Sequence, residues 1–269
     1  MKAALAKGMD VNSSDGEVGG TALMWSIMGK HKSIAKLLLK QPGIDVNVKD
    51  ADGQNALHVA LENGDSEVVK LILKTENVDV NCMDPVGTAP IHYAVREGNV
   101  NIVKMFLTHR DVDVNLGCKD TGVTALMAAA TQGRVEIVKL ILAHPNVNVN
   151  LCDEKGRTAL FCAAFTGTKK VLELFLADER LDATSVDATG YNVLHYAALA
   201  NSADMVELIM NDPRFSSLVN KPNKNGETAV MLAVHGCKHN AVTRLLRYPS
   251  VDLDLKNKNG QSLEDLARY

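Results

Sequence analysis

Apolar residues along this chain fall into pairs of short clusters divided by a glycine-containing turn, and the paired pattern returns at a nearly constant interval. The stretch Asp50 to Met83, DADGQNALHVALENGDSEVVKLILKTENVDVNCM, shows it most plainly. Asp52-Gly53 marks a tight turn, where glycine accepts positive φ without a Cβ penalty. Asn55 then stands where a side chain can accept from the free amides of a first helical turn, and Leu57 and Ala60 follow on one face. Asn63-Gly64 closes that helix with a left-handed cap. A second helix is predicted from Ser66 to about Lys74, its broad apolar face made by Val68, Val69, Leu71, Ile72 and Leu73, and Asp79-Val80-Asn81 ends the unit. Each unit is therefore helix, turn, helix and hairpin.

The rest of the chain repeats this unit. The opening glycine recurs at Gly19, Gly53, Gly87, Gly122, Gly156, Gly190, Gly226 and Gly260, in steps of 34, 34, 35, 34, 34, 36 and 34 residues. Seven residues later the side chain is always small: Ser26, Ala60, Ala94, Ala129, Ala163, Ala197, Ala233 and Ala267. Small residues there let two helices approach closely. The capping position is equally regular, with Thr21, Asn55, Thr124, Thr158, Asn192, Thr228 and Ser262, and Ala89 as the exception.

The run Asp84-Pro-Val-Gly-Thr-Ala-Pro90-Ile-His92-Tyr-Ala94 resembles the D-x-x-G-x-T-P-L-H-x-A opening of the ankyrin repeat family, and Gly133-Arg-Val-Glu-Ile137-Val138-Lys-Leu140-Ile-Leu142 resembles its second helix. The resemblance covers essentially the whole chain. It implies an all-α solenoid of helix-turn-helix units with β-hairpin fingers: seven complete repeats at about 16–49, 50–83, 84–118, 119–152, 153–186, 187–222 and 223–256, with partial repeats at 1–12 and 257–269. Together they form one domain over 1–269. Glu264, where other repeats carry an apolar residue, suits an end of the stack, whereas the N-terminal half-repeat suits none, so the chain is expected to belong to a longer protein. The histidine of the family motif stands at His58, His92 and His195 but is replaced by Met24, Met127, Phe161 and Met231, which is expected to remove its local hydrogen bonds and leave the fold.

Composition narrows the function. A net charge of −3 and 4% aromatic residues argue against general nucleic-acid binding, which needs basic surface and stacking rings. No apolar run approaches the ~20 residues of a membrane-spanning helix. Five cysteines without a CxxC pair (Cys82, Cys118, Cys152, Cys162 and Cys237) suit reduced thiols and an intracellular protein. The repeated histidines are one unit apart, too far to share a metal ligated at about 2 Å, and His235 and His239 straddle the turn at Gly236. No phosphate-binding loop, nucleophile elbow or HExxH pattern occurs. Neither enzyme activity, nor a cofactor, nor a metal is expected.

What the repeats leave free is the surface. In ankyrin repeats the first-helix ends and hairpin tips line a concave, partner-binding groove, which the register here places at Glu62 and Asn63, Arg96 and Glu97, Thr131 and Gln132, Phe165 and Thr166, Leu199 and Ala200, and His235. The tips add Val86, Val123, Lys155, Arg157 and Tyr191, then Lys221, Lys224, Lys256 and Lys258. Phe165 and Leu199 are either apolar anchors or packing against neighbouring hairpins; the lysines either meet an acidic partner segment or form a solvated edge. The resemblance implies a monomeric scaffold that binds a partner protein, or alternatively a substrate-recognition or regulatory module of a larger enzyme, ubiquitin-ligase adaptor or channel. Asn47, Asn81, Asn115 and Asn150 each follow valine and lie eight residues after Leu39, Leu73, Leu107 and Leu142, which looks like the pattern read by asparaginyl hydroxylases acting on ankyrin repeats. A structural role, bridging hairpin backbone, is the alternative.

Overall fold

A computed structural model describes residues 10–268 and divides the chain into two compact units, Met1–Ala125 and Leu126–Tyr269. The partial repeat expected at 1–12 falls largely outside the described residues. Unit 1 holds α1 (Ala22–Met28), α2 (Lys32–Leu38), α3 (Ala56–Glu62), α4 (Ser66–Ile72), α5 (Pro90–Glu97) and α6 (Val100–Leu107). Helix α7 (Ala125–Thr131) begins on the last residue of unit 1. Unit 2 continues with α8 (Val135–Leu142), α9 (Ala159–Thr166), α10 (Lys169–Leu176), α11 (Val193–Leu199), α12 (Ala203–Met210), a 3₁₀ helix (Pro213–Leu218), α13 (Ala229–His235), α14 (His239–Leu245) and α15 (Leu263–Leu266).

Each unit is an all-α stack in which a helix packs on its own partner and on the equivalent helix of the next repeat. The inner row of unit 1 is α1, α3 and α5 and its outer row α2, α4 and α6; unit 2 has inner row α9, α11, α13 and α15 and outer row α8, α10, α12 and α14. Ala60, Ala94, Ala163, Ala197 and Ala233 are buried where inner helices cross close to their neighbours, as the small-residue position requires. Larger residues fill the outer layer: Val68, Val69 and Ile72 on α4, Ile102, Val103 and Phe106 on α6, and Val171, Leu172 and Phe175 on α10 are all buried. Each such side chain contributes about 1.5–3 kcal/mol through removal from water.

Capping follows the sequence pattern with informative exceptions. Asn55 Oδ1 accepts from the amides of Leu57 and His58 at 3.1 and 3.2 Å, and His58 Nδ1 accepts in return from the Asn55 amide at 3.3 Å. Asn192 and His195 repeat this box, with the His195 Nε2–H donating to the Glu227 carbonyl at 3.1 Å. The methionine at the same place in α1 does not lose the box, because the Thr21 amide reaches Met24 Sδ at 3.5 Å. By contrast, Thr158 and Thr228 make no cap: both hydroxyls are buried without a partner. Ala89 offers no side chain, and Pro90 at the first helical position removes one amide that would need capping.

No named strand forms among the described residues; the fingers are tight turns, with isolated bridges at Ser14–Thr21, Gly117–Thr124 and Cys152–Thr158. In the second finger the Asp50 amide donates to the Gln54 carbonyl and its carboxylate accepts from the Gln54 amide, both at 2.9 Å. Successive fingers are tied by single backbone bonds: Ala51 N–H to Val18 O and Lys119 N–H to Gly87 O in unit 1, and Ala188 N–H to Lys155 O, Lys224 N–H to Thr189 O and Lys258 N–H to Asn225 O in unit 2, all within 2.8–3.0 Å. Glycine is required at Gly156, where φ is +73° and a Cβ would lie 2.8 Å from the Ala188 amide nitrogen.

A second tie lies at the end of each repeat. Asn81 Nδ2 donates to the Asp111 carbonyl at 2.7 Å while its Oδ1 accepts from the Asp113 amide at 2.9 Å, spanning one repeat. Asn12, Asn47, Asn150 and Asn220 make the same pair of bonds to the following repeat. The ladder is interrupted at Thr184, whose hydroxyl and amide both turn to Asp182. The repeat that follows carries the longer connection, folded into the 3₁₀ helix, and there Arg214 reaches back to the carbonyls of Leu176 and Asp178. Arg180 makes the equivalent contact to the Leu142 carbonyl one repeat earlier, beside the intact Asn150 tie.

Candidate functional site

The first-helix ends expected to form the recognition surface differ in how much freedom they retain. In unit 1, Glu62 is exposed and accepts from Gln54 Nε2 at 3.1 Å, whereas the Asn63 side chain donates to the Ile27 carbonyl of the preceding inner helix. Arg96 lies over the Tyr93 ring, 4.5 Å from its centroid, and within 3.5 Å of Glu97. In unit 2 the hydroxyls of Thr131 and Thr166 are spent on helix carbonyls, Met127 O and Cys162 O, and Gln132 accepts from Arg134. These threonines offer methyl groups rather than hydrogen bonds.

Phe165 behaves otherwise. It is 56% exposed, and its ring stands edge-on to Tyr196 at 6.4 Å. Tyr196 is itself stacked on Phe161 at 5.2 Å and meets Tyr191 edge-on at 6.0 Å, while Tyr191 stacks on His195 at 5.3 Å. The Tyr196 hydroxyl donates to Asp187 Oδ2 at 2.7 Å, and burial, helped by that bond, pushes the phenol well above its usual range. The result is a rigid aromatic cluster with one ring left half in water. Leu199, one repeat further, is half-buried, whereas Phe165 packs on Tyr196 and is still exposed.

The charged side chains of unit 2 are unevenly paired. Lys155, Lys224 and Lys258 are exposed on finger tips of unit 2, and none of them forms an ion pair; Lys221 and Lys256 at the finger bases are likewise exposed and unpaired. Arg157 is the exception, neutralised by Asp153 at 2.6 Å. His235 is exposed and stands 3.8 Å from Glu227, with no third ligand group: among the described residues no cluster of three or more His, Cys, Asp or Glu could hold a metal ion. The thiols show no activation where a shift is resolved. Burial pushes Cys82 up to about 11, and raises Cys118 and Cys162.

Two exposed residues of α1 were not anticipated. Met28, 41% exposed, occupies in the first repeat the place of Glu62 and Arg96, as its offset from Gly19 could have indicated. Trp25 is 44% exposed and donates its indole N–H to Asp15 Oδ2 at 2.6 Å. Nothing in the local sequence marks that contact, because it joins a helix to a finger ten residues earlier.

A family model described as ankyrin repeats (three copies) matches residues 1–84, 57–151 and 141–218. The chain belongs to the ankyrin repeat family. A crystal structure of EF0377, an ankyrin repeat protein, is similar in fold, with a TM-score of 0.66 and 22% identity over 75% of this chain and 98% of that one. Ankyrin repeats are protein-interaction modules, and no helix among the described residues is long and apolar enough to cross a membrane.

Proposed function

We propose that this ankyrin array is a non-catalytic recognition scaffold, and that unit 2 engages a partner protein through its inner-helix ends and finger tips. Phe165, Leu199 and Tyr191 supply the apolar anchor, and Lys224 and Lys258 attract an acidic segment of the partner. The observation that carries this is the exposed, edge-packed Phe165 ring: a ring already packed on Tyr196 loses little entropy on binding. Thr131, Gln132, Thr166 and His235 form the rest of that face in unit 2, and Glu62, Asn63, Arg96 and Glu97 form a face of unit 1, each with weaker individual contributions. The free thiols fit a reducing intracellular compartment, and the array acts as a monomer.

The test is co-purification of partners from cells of origin with the array, its Phe165→Ala/Leu199→Ala variant and its Lys224→Glu/Lys258→Glu variant. Both variants should lose the same bound protein, and the wild-type complex should weaken as salt rises. Retention of every partner by both variants would sink the proposal. Hydroxylation at Asn47, Asn81, Asn115 or Asn150 is a separate proposal supported by the leucine spacing; intact mass of protein from its own cells, with no +16 Da species, would refute it.

A further inference from the structure

Three inner-helix aromatics in this chain share one device. Trp25, Tyr93 and Tyr196 each donate a hydrogen bond to the acid at the base of their own finger: Asp15 at 2.6 Å, Asp84 at 2.6 Å and Asp187 at 2.7 Å. In two of the three, other groups then cover the ring. Tyr196 is flanked by Phe161, Phe165 and Tyr191, and Tyr93 by the edge of His58 at 5.7 Å and by the Arg96 guanidinium. Among the described residues Trp25 has no such cover. The residue three positions on, where Arg96 follows Tyr93, is Met28, and among the described residues no cation lies over the indole.

The indole is held in place as well as exposed. Gly20 makes room for it, since a Cβ there would lie 2.8 Å from Trp25 Nε1 and 3.1 Å from Cε2. The surroundings are acidic. Glu17 is exposed in the same turn as Asp15, whose Oδ1 accepts from the Val18 amide at 2.8 Å. Exposed Asp52 sits on the adjoining finger, tied in by the Ala51 N–H to Val18 O bond. Glu62 ends the next inner helix, where Asn63 bonds to the carbonyl of Ile27, the neighbour of Met28. Lys49, at the base of that second finger, is directed to the Met83 carbonyl.

We infer that Trp25, Met28 and these carboxylates form a second docking point, which takes an arginine- or lysine-bearing segment of a partner protein. The incoming cation sits over the indole as Arg96 sits over Tyr93, its charge balanced by Glu17, Asp52 and Glu62, and its aliphatic stem lies on Met28. This site is in unit 1 and does not depend on the acidic-segment surface of unit 2.

Trp25 is the only tryptophan, so its fluorescence reads the site directly. The probe is the peptide acetyl-Arg-Leu-Gly-Arg-Leu-amide, with its Glu-for-Arg counterpart as control. A saturable change in emission is expected with the arginine peptide alone, and affinity should fall about fivefold or more in an Asp52→Lys/Glu62→Lys variant. Met28→Arg places an internal cation where Arg96 stands over Tyr93; it should weaken peptide binding by about the same factor with unchanged helical circular dichroism. Phe165→Ala should titrate as wild type. The inference is overturned if the arginine peptide gives no saturable change, if the glutamate peptide gives an equal one, if Met28→Arg binds as wild type, or if Phe165→Ala abolishes the signal and so moves the binding to unit 2.

Discussion

Replacing Asn81 by alanine tests how much of this array's stability resides in ties between repeats. The substitution removes two hydrogen bonds, Nδ2 to the Asp111 carbonyl at 2.7 Å and the Asp113 amide to Oδ1 at 2.9 Å, while the bond from the Asn81 amide to Asp79 stays. Each bond contributes about 0.5–1.5 kcal/mol net. The site is half-buried, so water can reach the abandoned groups, and a loss of about 1–2 kcal/mol in unfolding free energy is expected. Because each repeat contacts only its neighbours, the loss should be concentrated at one interface. Two assays separate the local from the global effect: urea unfolding followed by circular dichroism, and hydrogen exchange of the Asp113 amide, which should lose protection. Asn81→Asp keeps the acceptor but sets a carboxylate against the Asp111 carbonyl and near Asp79, Asp111 and Asp113, so at neutral pH it should cost at least as much as alanine. Asn101→Ala, at an exposed helical site without a side-chain hydrogen bond, is the control and should be neutral or slightly stabilising. If Asp113 exchanges at the wild-type rate in Asn81→Ala and the urea midpoint does not move, the ladder is decoration and the reasoning is wrong.

Stability should also fall as pH drops below about 6.5. His58, His92 and His195 are buried, and loss of hydration lowers each below its ordinary value, so the unfolded chain takes up protons first. Stability is therefore complete above the unfolded pKa and declines below it by about 1.4 kcal/mol per pH unit for each histidine, until the folded pKa is reached. Unfolding free energies between pH 5 and 8 that show no such slope would contradict the neutral, Nε2-protonated state assigned to His195. Tyr196→Phe removes the donor to buried Asp187 and should destabilise unit 2 by about 1–3 kcal/mol while Phe165 keeps its edge contact. Phe215→Ala empties a fully buried site in the 3₁₀ helix, and a loss of about 3–5 kcal/mol in thermal or urea unfolding is expected; a value below 1 kcal/mol would show that the longer connection collapses freely.

The repeat and nearly everything local to it can be read from the order of residues. Turn glycines, capping residues and the two helices of each unit depend on backbone conformation and on side chains within a few positions, so Gly53, Asn55, Ala60 and Gly64 announce their roles without a partner. Register also indicated that Phe165 is exposed, but not that Asn63 bonds to the preceding inner helix or that Leu199 is half-buried.

Contacts made between repeats or between a helix and a finger come to light in the folded chain. Asn81 could have bridged its own hairpin, but it ties residues about one repeat away, and Arg180 and Arg214 likewise reach back to the preceding repeat. Thr158 and Thr228 look like caps in sequence and make none, whereas Met24 supplies a sulfur acceptor where a histidine nitrogen was missing. Trp25 depends on Asp15, Gly20 and the absence of a cation at Met28 together. Such contacts follow from the stagger of one repeat on the next, which sets distances of a few ångströms between residues far apart in the chain and leaves no periodic trace in the order of amino acids.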